Sequence, residues 1–218
     1  MIIRTGRTDL QLFGPPACLV LTLLLLSGCG RDQTKAMLQA PQALGVVLAG
    51  EAALVAGANH TVGVITPDAG WGPVSTVESS FRETMGKMGF SVTTAKSADL
   101  GSAISFAAGL DGADFLEALQ EARGAGAVVS FGGAPVMSVA EEERVPVGHP
   151  PVLVVATMAL GSVPGIASDR RMITNLLTAK IIQLAVIDGA DASAAQSAPA
   201  DATHEIFARN YRIVRPAK

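Results

Sequence analysis

Residues 61–94 read TVGVITPDAGWGPVSTVESSFRETMGKMGFSVTT, and this stretch decides the fold. Val62 to Thr66 is an apolar, largely β-branched run of strand length, halted by the turn chemistry of Pro67, Asp68, Gly70, Gly72 and Pro73. Ser75 followed by Glu78 has the spacing of a capping box, in which hydroxyl and carboxylate each satisfy an orphaned N–H at a helix start. Val77, Phe81, Met85 and Met88 then recur at helical spacing, with Arg82, Glu83 and Lys87 on the opposite face. Gly89 supplies the left-handed residue that closes a helix, and a second strand runs to Thr94. A buried strand, an amphipathic helix and another strand form the repeating unit of a parallel α/β sheet.

The rest of the chain repeats that unit. A helix is predicted over 42–55, where Leu44, Val47 and Leu48 make an apolar face that Gly45 and Gly50 weaken. After a Gly, Ala and Ser-rich connection, a second helix spans 113–123, with Asp111 or Asp114 as its cap and Gly124 closing it. A strand over 127–131 leads into Gly132-Gly133-Ala134-Pro135, where Pro135 suits the first turn of a short helix carrying Glu141 to Arg144. Further strands are predicted over 152–156 and 163–167, and Asp169 caps the longest helix, 170–187. Residues 189–203 are low-complexity Ala, Asp and Ser, ahead of a helical turn over 204–210 and an edge strand over 211–214. The prediction is an α/β three-layer sandwich with a mostly parallel, doubly wound sheet of about five strands.

The amino terminus reads as an address label. Arg4 and Arg7 precede an apolar run from Ala17 to Leu26 that ends in Leu26-Ser27-Gly28-Cys29. The run is shorter than the roughly 20 residues of a spanning helix. It resembles the lipobox of bacterial lipoproteins. That resemblance implies a signal peptide over 1–28, cleavage before Cys29 and acylation of its thiol. A polar tether over 29–41 and one domain over 42–218 would follow. Gly30 stands where an Asp would mark inner-membrane retention, which implies an outer-membrane anchor facing the periplasm in a Gram-negative host. Cys18 leaves with the signal, so no disulfide forms within the mature chain.

Composition narrows the function classes. A net charge of −3 with only 16% charged residues excludes the basic footprint of a nucleic-acid binder. Ala, Val, Gly and Leu dominate, as in parallel strands buried on both faces. His60, His149 and His204 lack neighbours at metal-ligand spacing. The loop after the first strand has neither GxGxxG nor Walker spacing, and no GxSxG elbow occurs, so no cofactor or nucleophile is predicted. Glu141, Glu142 and Glu143 read as a solvated helix face.

In an open α/β sheet, ligands sit beyond the carboxyl ends of the strands, near the point where strand order reverses. That rule selects Asp68, Trp71 and Ser75 after the first strand, Ser130, Gly132 and Gly133 after the third, Thr157 after the fourth, and Ser168 with Asp169 after the fifth. Asp68 suits hydroxyls or an amine, and Trp71 offers a stacking face, although an Asx-turn and a sheet-end cover are equally good readings of the two.

VGVITPD with its helix, FLEALQEARGAGAVVSFGG and SVPGIASDRRMITNLLTAKIIQLAVIDG together resemble one lobe of the type I periplasmic solute-binding proteins that serve ABC transporters. The resemblance implies binding of a small polar solute without chemistry, with a transporter permease or a second lobe as partner. The chain has residues for about one of the family's two lobes. Thr157-Met158 stands where members carry an acidic or amide group. A structural or protein-interaction envelope lipoprotein is the alternative reading.

Overall fold

The computed structural model describes residues 17–67, 72–98, 110–157, 169–189 and 202–216, with side chains for all of these except 17–36, 72–74 and 98. Contacts divide the chain into residues Met1–Met37 and Leu38–Lys218, and the second unit carries the sheet. Its elements in chain order are α1 (Ala17–Ala56, which begins in the first unit), β1 (Thr61–Pro67), α2 (Gly72–Lys87), β2 (Ser91–Ala98), β3 (Leu110–Asp111) and α3 (Gly112–Glu121). Then come β4 (Ala127–Ser130), β5 (Pro135–Val136), α4 (Val139–Glu142), β6 (Val152–Ala156), α5 (Arg170–Thr178), β7 (Leu184–Asp188), α6 (Ala202–Asn210) and β8 (Tyr211–Val214).

Six strands form the main sheet in the order β2-β1-β4-β6-β7-β8, all parallel except the antiparallel edge strand β8. Alternation along each strand sends side chains to two separate cores. Val62, Val64, Val129, Leu153, Val155 and Val186 meet α1, α2 and α6 on one face. Ile65, Val128, Val154, Ala156, Ala185 and Ile187 meet α3 and α5 on the other. The α/β class, the parallel sheet and the helices on both faces are therefore as expected, but the strand at 184–188 is not among those predicted.

That extra strand corrects the longest predicted helix. Helix α5 stops at Thr178, and residues 184–188 are strand β7. The stop is a Schellman motif: Ile181 N–H donates to Leu176 O at 3.0 Å and Lys180 N–H to Leu177 O at 3.1 Å. Lys180 takes the left-handed position at φ 61°, which glycine usually fills. Beyond it Leu184, Ala185, Val186 and Ile187 are all buried, as a central strand requires.

Three smaller differences follow from local geometry. Helix α2 begins at Gly72, so Ser75 lies inside it and Ser75–Glu78 is not its capping box. Pro135 is in β5, paired with β3, and Ser138 caps α4 instead, in a capping box with Glu141. Residues 29–41, read as a tether, have helical backbone within α1. The strand predicted over 163–167 and most of the low-complexity stretch, 190–201, lie outside the described residues.

Residues 37–56 of α1 are long and apolar enough to cross a membrane. Leu44, Leu48, Ala49 and Ala52 are fully buried in the core under the sheet, so this segment is a core helix.

Edge strand β8 carries Tyr211, which packs beside Phe207 at 5.6 Å and opposite Asp188. Burial, and secondarily the Asp188 carboxylate, push its phenol up to about 12 from 10.0. The neutral phenol is the form the fold favours, so its contribution is complete below pH 10 and is lost as pH rises towards 12. Thermal unfolding midpoints should fall over that interval, and Tyr211→Phe should flatten the fall. Tyr211 is the chain's one tyrosine, so phenolate absorbance reads its titration directly.

Candidate functional site

Strand order reverses between β1 and β4, because β2 lies to one side of β1 and β4, β6, β7 and β8 to the other. Crossovers leave the pair in opposite directions there, and in open α/β sheets ligands sit outside the carboxyl ends at such a point. In register, Ile65 of β1 lies opposite Ser130 of β4, and Ser130 opposite Val154 of β6. The residues that follow these positions form the strand-end row.

Gly132 and Gly133 continue directly from β4 and are buried. Gly133 has φ +90°, a conformation that an L side chain resists, and its carbonyl accepts the buried Ser130 hydroxyl at 2.8 Å. The pair therefore forms a tight, internally bonded turn beside the end of β1. Thr157, one residue past β6, is fully buried, and its Oγ1 has no hydrogen-bond partner among the described residues. A buried hydroxyl left unpaired costs about 1–3 kcal/mol, so this atom stands out chemically.

Asp169 caps α5, its carboxylate accepting from Arg171 N–H at 2.8 Å. It is exposed, as is Ser75 in α2. Asp68 and Trp71 lie outside the described residues, as does the side chain of Cys29. The structure thus brings Gly132, Gly133 and Thr157 onto one sheet end and places Asp169 and Ser75 on the flanking helices.

Sequence reasoning missed the charged cluster at this end. Glu78 of α2 is 17% exposed, and both its oxygens are engaged. Thr66 Oγ1, at the end of β1, donates to Oε2 at 2.6 Å, and Arg82 Nε donates to Oε1 at 2.7 Å. Arg82 Nη2 reaches on to Thr94 Oγ1 of β2 at 3.0 Å. The i,i+4 spacing of Glu78 and Arg82 was the available signal, but it points equally well to an exposed helix pair.

The class defined by these observations is an open, mostly parallel α/β sheet with Gly132, Gly133 and Thr157 at the strand ends beside its switch point. No protein-family model matches the chain, and no curated protein matches it. Among solved structures it is similar to AraP, an arabinose binding protein from Geobacillus stearothermophilus, at 12% identity. That likeness covers 80% of this chain and 60% of AraP, with a TM-score of 0.49. It is also similar to an ABC transporter solute binding protein from Agrobacterium vitis, bound with alpha-D-tagatopyranose, at 18% identity. Coverage there is 66% of this chain and 44% of the other, with a TM-score of 0.44. The chain therefore spans 60% or less of the length of either protein.

Proposed function

We propose that this protein binds a small polar solute at the carboxyl ends of β1, β4 and β6, without chemistry, as a lipid-anchored component of an ABC-type uptake system. Cys29 carries the lipid, and the domain faces the periplasm from the outer membrane in a Gram-negative host. Asp68, Trp71, Ser75, Gly132, Gly133, Thr157 and Asp169 are the proposed ligand contacts. The observation that carries the reading is the fully buried hydroxyl of Thr157, without a partner among the described residues, at the strand ends of an open parallel sheet. A solute hydroxyl or carbonyl would complete it.

The experiment is a thermal-shift screen of the protein against sugars, nucleosides and amino acids, with Thr157→Val alongside. A solute at about 100 times its dissociation constant adds about 2.7 kcal/mol, a shift of several degrees. Valine keeps the shape and removes the orphaned hydroxyl, so the variant should be about 1–2 kcal/mol more stable without solute, yet lose most of the solute shift. A cooperative transition that no compound moves would overturn the reading.

One observation favours the alternative of an interaction module. Val47, Leu54, Met88, Phe90, Phe207 and Ile213 line a groove of about 690 Å³ between α1, α6 and β8. Leu54 is 79% exposed there and Met88 40%. Contiguous exposed apolar surface of this kind marks protein contacts more often than solute sites.

A further inference from the structure

The geometry points to Glu78 as the positioning residue of the strand-end site, holding the end of β1 against α2 and, through Arg82, against β2. This inference rests on reading that sheet end as the binding face. The Glu78 carboxylate holds the frame on which that site stands, through Thr66 of β1 and Arg82 of α2. Thr66 precedes Pro67, the last residue of β1, and lies 12 residues before Glu78, so their 2.6 Å contact spans the whole β1–α2 connection. Charge assistance makes such a bond short and strong, and the low exposure of the carboxylate protects it from competing water.

Arg82 completes the frame. Its guanidinium neutralises Glu78 and extends to Thr94 on the neighbouring strand, so β1, β2 and α2 are held by one chain of hydrogen bonds. β1 is the strand on which the switch point turns, with β2 on one side and β4 on the other. Its other flank is fixed by the Phe131 amide, which donates to Ile65 O at 2.9 Å. Without Glu78, the Thr66 hydroxyl keeps, among the described residues, its 3.3 Å contact to Pro67 O, and Arg82 loses the carboxylate it pairs with. A general packing role predicts uniform loosening, whereas a positioning role predicts loosening confined to this end.

Amide hydrogen exchange of the protein without added solute separates the two. Glu78→Ala should raise exchange about tenfold at Thr66 and Phe131 while leaving β7 unchanged. Glu78→Gln, whose amide oxygen still accepts from Thr66, should recover most of the protection. Leu176→Ala, which weakens the opposite helix layer, provides a control with a comparable loss of stability. Exchange that rises uniformly in Glu78→Ala, as in that control, or that does not change at Thr66, would overturn the inference. So would a solute that Glu78→Ala binds as tightly as the unaltered protein. A protein that binds no solute yet loosens only at this end would retain the frame and discard the solute reading.

Discussion

Gly45→Val should abolish cooperative unfolding, and Gly45→Ala should lower stability by more than about 3 kcal/mol, at the upper end of what overpacking costs. A Cβ at Gly45 would lie 2.4 Å from Val77 O, 2.8 Å from Ser80 Cβ and 2.9 Å from Phe81 N. Two of those three are backbone atoms of α2, which cannot rotate away as a flexible side chain does. α1 and α2 would have to separate, opening the core that Leu44, Leu48, Val77 and Phe81 share. A typical domain holds only about 5–15 kcal/mol in total, so valine, with two further methyl groups, exceeds what the fold can absorb. Gly50 supplies the control within the same helix, because nothing lies within 4 Å of a Cβ there. Gly50→Ala should stabilise by about 0.5–1 kcal/mol through helix propensity alone. Urea midpoints of the two alanine variants should move in opposite directions; if both rise, α1 does not pack on α2 as described.

Phe81→Ala should cost about 3–5 kcal/mol, the usual loss for deleting a buried aromatic ring. Phe81 is fully buried and meets Phe131 edge-on, with ring centroids 5.4 Å apart and planes at 74°. The ring fills the space between α2 and the end of β4, so its removal leaves a void bordered by rigid elements that collapse only in part. The same backbone atom, Phe81 N, limits Gly45, so the two sites are coupled. Gly45→Ala with Phe81→Ala should cost measurably less than the sum of the single changes, because the cavity gives α2 room to shift. Chemical denaturation of the two single variants and the double variant tests this as a cycle.

Helix ends show how much of the fold was legible. Gly89 and Lys180 perform the same task, each taking a left-handed position that closes a Schellman motif, at φ +81° and 61°. Glycine announces such a stop because it alone adopts that conformation without strain, and α2 was accordingly ended correctly. Lysine announces nothing. With the stop hidden, Ile173, Leu176, Leu177, Ile181 and Leu184 continue a helical period, and the strand beyond was absorbed into the helix. The buried strand 152–156 and the edge strand 211–214 were read to the residue, since prolines bound the first and a short alternating run marks the second.

The strand-end site was legible in outline only. Ser75 and Glu78 have capping-box spacing, yet α2 starts a turn earlier, and Glu78 turns inward to Thr66, twelve residues back. Nothing local distinguishes an inward glutamate from one that caps a helix. Asp169 as a cap was a local reading, and it holds.

By itself the sequence determined the α/β class, the parallel strands and most of the helix limits, because these depend on residue period, caps and turn residues that lie near one another in the chain. Only the tertiary structure decided the strand order that sets the switch point, the close approach that makes Gly45 necessary, the isolation of the Thr157 hydroxyl and the partners of Glu78. Each of these depends on groups that are distant in sequence and brought together by packing, where desolvation and close contact settle what one side chain does.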